Sequence, residues 1–437
     1  MSAHHDRSAV RSPAVSFRPR AVLTGAVLAL IGASSVLAGV VGPPIPIWSE
    51  PVGSYLPAVA FNLQHEEFLV VWGNLQGPST WGVYARRVAM DGTPLSWFSV
   101  RSAAGEHHSD PTVGYASTRD SYLVCWTADP STVNPEIACA PVTWDGSSIG
   151  AASYVVTAQG SQHEAEIAYN QHHDEFLLVY GNSWSSGPDD VAAQRVAPDG
   201  LPISGAIIAS GPTSADLRFS VDVAFNADLD EYLFVYQYDG AGTLQGVTRA
   251  KTAPYDLGGV TAAPEIDLGP IDGSVTPEAS WSSEAYLAVW VGAYVPGLRT
   301  MGRHLSEGGV PLGATSGFPI SAVDCFGYHT EDNHDVTWAP AIGHVVAYQN
   351  VLSAGMAPGV FTRVVSPGSE RLLTPQLTVA DGPADQMWPA VACAPWGVCL
   401  VVYQEDDDIV ARILRFHAFA DGFDETGDTS YWSVVVP

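Results

Sequence analysis

Acidic, histidine and aromatic side chains gather in segments that interrupt an otherwise regular sequence. Aromatic rings offer stacking area to a sugar or peptide, and carboxylates accept hydrogen bonds from its hydroxyl or amide groups. The pattern therefore favours recognition of a glycan, peptide or protein. The candidate contact residues are His108, Asp110, His163, Glu164, Trp184, Tyr238, His334, Asp335 and Trp388.

The same residues could support catalysis. Cleavage of a glycosidic bond needs two carboxyl groups, or a histidine with an acid, across one pocket. Asp110, Glu164 and Asp335 are candidate acids, and His108 and His163 are candidate bases. The sequence has no nucleophile elbow, H-E-x-x-H motif, phosphate loop or dinucleotide fingerprint. An acid-rich chain also supplies such candidates by chance, so the sequence favours non-catalytic binding, with a polysaccharide hydrolase or lyase as the alternative.

A divalent cation is left open by this set of residues. Neutral imidazole with carboxylate suits zinc, and the acidic run Glu405–Asp408 suits calcium, which prefers oxygen ligands. No spacing among them is diagnostic, and solvated loop residues explain them as well. We therefore predict no cofactor.

The regular part of the sequence is a short apolar run that ends in an aromatic residue and occurs seven times. A fixed period of this length, built from strands, is typical of a β-propeller. The fold prediction is all-β, with seven four-stranded antiparallel blades in a ring. The closing aromatics, 54 to 58 residues apart, are Trp72, Trp126, Tyr180, Tyr236, Trp290, Tyr348 and Tyr403.

The seventh unit shows no obvious fourth strand, and Ile45–Trp48 is predicted to supply it and close the ring. The body, roughly residues 45–416, resembles WD-repeat-like and kelch-like propellers of exported bacterial proteins in its period and strand pattern. Residues 421–433 resemble the D-G-F-x-x-x-G-D-T-S-x-W-S tail of certain secreted bacterial proteins. We predict a signal peptide over residues 1–38, a propeller over 39–416 and a tail over 417–437.

The first residues read as a signal peptide. Four arginines precede an apolar stretch, and Val36–Ala38 forms a small-x-small cleavage signal before Gly39. The expected location is secreted, periplasmic or on the cell surface, without a stable membrane span after cleavage. The formal net charge of −28 disfavours nucleic acid as a partner. The expected partner is an envelope or extracellular glycan or protein, bound by a monomer.

Cysteines and recurring charges predict structural links. Cys125 with Cys139, and Cys393 with Cys399, are expected to form cross-strand disulfides, which leaves Cys325 over. An acid recurs before the second strand of the unit, and an arginine recurs near the end of the third. In the second unit Pro141 stands in place of the arginine. We expect a unit that carries both residues to pair them as a brace, as in Glu67 with Arg87 or Glu175 with Arg195. The acids are Glu67, Asp120, Glu175, Glu231 and Glu284, and the arginines are Arg87, Arg195, Arg249, Arg303, Arg363 and Arg412.

Overall fold

The protein is a ring of seven four-stranded antiparallel sheets, as the repeat predicts. The computed structural model describes residues 36–49, 53–77, 80–102, 106–129, 135–156, 160–183, 189–209, 217–240, 246–269, 275–294, 297–322, 334–351 and 357–418. Two short 3-10 helices, Val260–Ala262 and Glu307–Gly309, lie in connections. Within these ranges no helix has the length and apolar character needed to cross a bilayer.

The strands follow one another blade by blade. The first strand of the chain is β1 (Val36–Trp48). Blade 1 contains β2 (Ser54–Asn62), β3 (Glu67–Gly77), β4 (Thr80–Ala89) and β5 (Pro94–Arg101). Blade 2 contains β6 (His107–Ala116), β7 (Ser121–Asp129), β8 (Glu136–Thr143) and β9 (Ser153–Val156). Blade 3 contains β10 (Ser161–Asn170), β11 (Glu175–Ser183), β12 (Asp189–Val196) and β13 (Ile207–Ile208).

The second half of the ring has the same order. Blade 4 contains β14 (Leu217–Asn226), β15 (Glu231–Asp239), β16 (Val247–Pro254) and β17 (Ile266–Asp267). Blade 5 contains β18 (Val275–Trp281), β19 (Tyr286–Tyr294), β20 (Gly297–Leu305) and β21 (Phe318–Pro319). Blade 6 contains β22 (His334–Ala339), β23 (Gly343–Asn350), β24 (Gly359–Val365) and β25 (Leu377–Ala380). Blade 7 contains β26 (Gln386–Cys393), β27 (Val398–Glu405) and β28 (Asp408–Ala418), with β1 as its fourth strand.

The core lies between neighbouring blades, in seven apolar clusters. The second strand of each blade is covered on both faces, and Phe68–Trp72 is completely buried. A strand covered on both faces reads as a continuous apolar run, which explains the repeated burst in the sequence. The first strands of neighbouring blades contact one another around the axis.

The prediction that the N-terminal segment closes the ring is confirmed. β1 pairs with β28, and Ile45 lies opposite Ala411 while Trp48 lies opposite Ile409. β1 begins at Val36, three residues before the predicted signal-peptide cut at Gly39. The cut itself stays a prediction.

Both predicted disulfides are confirmed. Cys125 and Cys139 face each other on β7 and β8, and Cys393 and Cys399 join β26 to β27. Cys325 lies outside the described residues. Disulfides of this kind are typical of proteins that fold in an oxidising compartment.

The predicted acid–arginine brace holds in two blades and is wrong as a general rule. Arg87 makes two hydrogen bonds of 2.7 Å to Glu67, and Arg195 makes bonds of 2.8 and 2.6 Å to Glu175. Arg249 instead pairs with acids of its own blade. The other three arginines lie one register position away, where they donate to backbone carbonyls. These three are Arg303, Arg363 and Arg412.

Candidate functional site at the mouth of the ring

In the described part of the chain, a β-bulge recurs near the start of the innermost strand in six blades. The bulged residue has a φ of 47° to 52° in each case, a conformation that non-glycine residues rarely adopt. The bulge lies at the end of the ring where the second-to-third and fourth-to-first connections meet, which we call the mouth. Because the bulge repeats, six side chains are presented at one level of the mouth. They are Leu56, Asp110, Glu164, Ser220, Thr276 and Trp388.

Asp110 and Glu164 are neighbours in this level, with His163 beside them. Burial raises the pKa of Asp110, the Ser109 hydroxyl bond opposes that shift, and the negative charge of Glu164 adds to it. The Glu164 side chain is 43% exposed, and its Oε1 lies 3.8 Å from His163 Nδ1. The backbone N–H of Ser220 donates to Glu164 Oε2 over 2.9 Å. The structure thus brings together three predicted site residues from blades 2 and 3.

Four aromatic rings form a strip along blades 7, 1 and 2, next to this pair. The Trp388 and Tyr55 ring centroids are 6.3 Å apart, those of Tyr55 and Trp81 are 5.1 Å apart, and those of Trp81 and His107 are 6.4 Å apart. All four side chains are half-buried. A sugar ring could stack on such a strip while nearby carboxylates accept hydrogen bonds from its hydroxyl groups. We call these four residues the aromatic strip.

Four carboxyl groups occupy the equivalent position of successive innermost strands, one level deeper than the bulge. They are Glu166, Asp222, Glu278 and Asp335. Burial raises the pKa of Asp222, Glu278 and Asp335, and that of Asp335 reaches about 7. The charges of the other three groups raise the pKa of Glu278 further, and its side chain forms a hydrogen bond with that of Asp222. We call these four groups the inner carboxyls.

The inner carboxyls also link the blades. Asp222 Oδ2 accepts a hydrogen bond of 2.7 Å from the backbone N–H of Ala279, in the next blade. Glu166 Oε2 accepts one of 2.7 Å from the Thr112 hydroxyl, in the preceding blade. These carboxyls are therefore partly engaged in holding the ring. Only Asp335 among them is a site residue predicted from the sequence.

His108 is tied into blade 2 and does not face the mouth. It is 1% exposed, its Nδ1 accepts a bond of 3.1 Å from Trp126 Nε1, and its Nε2 donates to Glu106 over 2.8 Å. Arg101 also donates to Glu106, over 2.8 Å. Burial lowers the pKa of His108, so its imidazole is neutral in this network.

Neither His334 nor Tyr238 joins the Asp110–Glu164 pair. His334 is buried, and burial lowers its pKa to about 4. Tyr238 lies below two guanidinium groups, with Arg249 3.4 Å and Arg218 5.2 Å from its ring centroid. Trp184 lies outside the described residues. Among the residues the structure describes, no three His, Cys, Asp or Glu side chains form a metal-binding group.

No protein-family model and no curated protein sequence matches the chain. Solved structures do resemble it. A polysaccharide lyase of family PL25, an ulvan lyase, has a TM-score of 0.55 at 11% identity, over 84% of this chain and 95% of that one. A protein of unknown function from Dyadobacter fermentans has a TM-score of 0.54 at 10% identity, over 87% and 99%. The Penicillium chrysogenum α-L-arabinanase in complex with arabinobiose has a TM-score of 0.50 at 13% identity, over 87% and 98%. The chain shares a fold with these proteins.

Proposed function

We propose that this propeller binds a polysaccharide across its mouth and hydrolyses it by general acid–base catalysis. The observation that carries the proposal is the Asp110–Glu164 pair, in which two neighbouring carboxyls have different surroundings. Two titratable groups in unlike environments are the usual basis for one acid and one base at the same pH.

Asp110 is the proposed acid and Glu164 the proposed base. Asp110, with its raised pKa, gives its proton to the leaving glycosidic oxygen as the bond from that oxygen to the anomeric carbon breaks. Glu164 removes a proton from a water molecule, and the resulting hydroxide adds to the anomeric carbon. His163, 3.8 Å from Glu164, holds that carboxylate from one side.

Substrate binding is assigned to the aromatic strip. Its rings run from Trp388 in blade 7 to His107 in blade 2, and Asp110 lies on the same innermost strand as His107. A sugar chain stacked along the strip would therefore lead towards the carboxyl pair. Two of the structural neighbours are named as polysaccharide-degrading enzymes, which supports this choice of substrate class.

Non-catalytic glycan binding is the second candidate. It is favoured by the hydrogen bonds that engage Asp222, Asp335 and His108 in the framework of the ring, which leaves fewer groups for chemistry. The aromatic strip alone would suffice for such binding. The two disulfides support either function outside the cytoplasm.

The test is a polysaccharide screen of the full chain, including arabinan and ulvan, with reducing-end release as the readout. We expect Asp110→Asn and Glu164→Gln each to lower turnover at least about a hundredfold, the usual contribution of one acid–base group. Glu307→Gln, an exposed acid on the opposite end of the ring, is the matched control and should leave turnover unchanged.

Three outcomes separate the candidates. Turnover that survives both mouth substitutions contradicts the assignment of the acid and base. Glycan binding by titration calorimetry, without turnover on any substrate, favours the non-catalytic function. An unsaturated product that absorbs in the near ultraviolet would show elimination, and hence a lyase, in place of hydrolysis.

A further inference from the structure

A basic side chain links neighbouring blades at four joints of the ring. In each case it lies on the third strand of its blade. The residue opposite it on the second strand lies two residues before the closing aromatic. It donates to a backbone carbonyl at the outer edge of the preceding blade. The pairs are Arg86 with Ile47 O (2.7 Å), Lys251 with Ala209 O (2.8 Å), Arg303 with Leu268 O (3.0 Å) and Arg363 with Ile320 O (2.8 Å).

Arg412 occupies the same position in blade 7 but bonds elsewhere. Its partner on β27 is Val401, which lies two residues before Tyr403. Arg412 Nη1 nevertheless donates to Gly42 O, over 2.7 Å, in the outer strand of its own blade. None of the described hydrogen bonds joins Arg412 to β25, the outer strand of blade 6.

The sequence of β1 explains why Arg412 turns away. Gly42 has a φ of 77°, and the pairing with β28 shifts between Val41 and Ile45. Proline has no N–H to give to a sheet, so Pro43 and Pro44 cannot continue the ladder. The strand bends there. The Gly42 carbonyl, in the same blade as Arg412, takes the place of the acceptor that the preceding blade supplies in the other four cases.

The result is a cleft of about 420 Å³ between the outer strands of blades 6 and 7. Val379 and Ala380 of β25 form one wall, and Gly42 of β1 forms the other. Tyr403 and Arg412 also line it. Asp381 follows β25 and Glu405 ends β27, so the cleft opens at the outer rim of the same end of the ring as the mouth. It lies between blades 6 and 7, whereas the Asp110–Glu164 pair lies on blades 2 and 3.

The polar side chains of the lining include two donors and two acids. Tyr403 Oη and Arg412 Nε are both buried and lie beside each other, and neither has a further hydrogen-bond partner within the described part of the chain. Burial and the charge of Glu405 raise the pKa of Tyr403 to about 12, against the neighbouring Arg412, which lowers it, so the hydroxyl keeps its proton. Asp381 and Glu405 also line the cleft, as acceptors.

We propose that this cleft binds a small hydroxylated monocarboxylate, of which a uronic acid is the simplest example. The guanidinium of Arg412 is suited to a carboxylate, since its donors match the two oxygens, and the Tyr403 hydroxyl is a second donor to the same group. The sugar hydroxyls donate to Asp381 and Glu405. These two acids repel a second negative charge, which selects against phosphates and dicarboxylates. The site does not depend on the catalytic proposal for the mouth.

The test is calorimetric titration of the full chain with glucuronate, with glucose as the neutral counterpart. We expect saturable binding of glucuronate and at least tenfold weaker binding of glucose. Tyr403→Phe, which removes only the hydroxyl, should weaken glucuronate binding roughly fivefold, and Arg412→Gln roughly tenfold or more. Arg303→Gln, the equivalent position in blade 5, is the matched control and should bind as the parent chain does.

The proposal is overturned if glucuronate shows no saturable binding, or if glucose binds equally well. It is also overturned if Tyr403→Phe and Arg412→Gln both bind as the parent does. Circular dichroism reports whether each variant is folded. Should Arg412→Gln fail to fold, the comparison of Tyr403→Phe with the parent chain, and of glucuronate with glucose, still decides the question.

Discussion

The Asp335 carboxyl in blade 6 accepts a hydrogen bond from the backbone N–H of Val391 in blade 7, with 2.6 Å between Oδ2 and the nitrogen. Asp222 in blade 4 accepts an equivalent bond from Ala279 in blade 5, two joints earlier in the ring. These residues hold successive innermost strands together at the axis. They do so with groups whose charge depends on pH, and the ring should respond to pH accordingly.

The free energy of unfolding should fall as pH rises from about 4 to about 7. Burial raises the pKa of Asp335 from 3.8 to about 7, so the folded state binds a proton more tightly than the unfolded state does. The contribution is fully present below about pH 4 and is lost as pH rises to about 7. We expect the free energy of unfolding to drop by up to about 4 kcal/mol over this window, since one pKa unit corresponds to about 1.4 kcal/mol.

Urea unfolding at intervals from pH 4 to 8 measures this effect, and Asp335→Asn isolates it. The asparagine oxygen can still accept from Val391, but it does not titrate, so the variant should lose much of the slope. Asp145→Asn is the control, because hydrogen bonds from Ser147 and Thr143 lower the pKa of this carboxyl to about 2. Its titration lies on the acid side of the measured range, so that substitution should leave the slope between pH 4 and 8 unchanged. An Asp335→Asn curve parallel to that of the parent chain would contradict the prediction.

The buried ion pairs of blades 1 and 3 should matter more than an exposed one. Glu67 is 5% exposed and receives two bonds from Arg87, whereas the Arg119 side chain of the Arg119–Asp174 pair is 56% exposed. Arg87→Met leaves a buried carboxylate without its partner and should cost about 3 kcal/mol of unfolding free energy. Arg119→Met should cost much less, because an exposed pair is screened by solvent and contributes little to stability. Equal losses in denaturant unfolding would show that burial of the pair is irrelevant.

The aromatic strip should govern glycan affinity. Trp81→Ala removes the ring that stands between Tyr55 and His107, and we expect about tenfold weaker binding of the polysaccharide found in the screen. Trp396→Ala is the control, because Trp396 is 42% exposed and lies in a turn at the opposite end of the ring. Calorimetry or affinity electrophoresis reports the change. The strip has no role in recognition if both substitutions have the same effect.

Lys251 is the single lysine of the chain and can report on opening between blades 3 and 4. It is 1% exposed, and its Nζ donates to Ala209 O over 2.8 Å and to Thr261 O over 3.2 Å. An acylating reagent should therefore modify Lys251 only when this joint opens, at a rate that rises with denaturant. Peptide mass spectrometry separates this site from the N-terminal amine. Rapid labelling of the folded chain would mean that the joint is open.

The sequence allowed the architecture to be predicted because the apolar bursts reflect burial on both faces of the second strands. Ring closure followed from one missing strand, and the disulfides followed from cysteines on neighbouring strands. The prediction of an acid–arginine pair is wrong outside blades 1 and 3. Arg303, for example, lies one register position away from the place that Arg87 takes in its own blade. That offset is invisible without knowing which residues lie opposite each other.

The site was harder to predict for a physical reason. Tyr55 and Trp81 come from different strands of blade 1, and their rings meet only because the blade folds back on itself. The inner carboxyls carried a signal that could have been used. Glu166, Asp222 and Glu278 precede Asp335 at intervals of 56, 56 and 57 residues, so an alignment of the first strands would have placed them in one column.

Closure by β1 has a consequence for biosynthesis. Residues 36–48 are synthesised before every other strand of the ring, yet their partners in β28, residues 408–418, are synthesised after all the others. Until then the flanks of blades 1 and 6 lack the apolar neighbour that covers them in the finished protein. A nascent or truncated chain that lacks β28 therefore exposes unpaired, apolar strand edges, which are prone to aggregate.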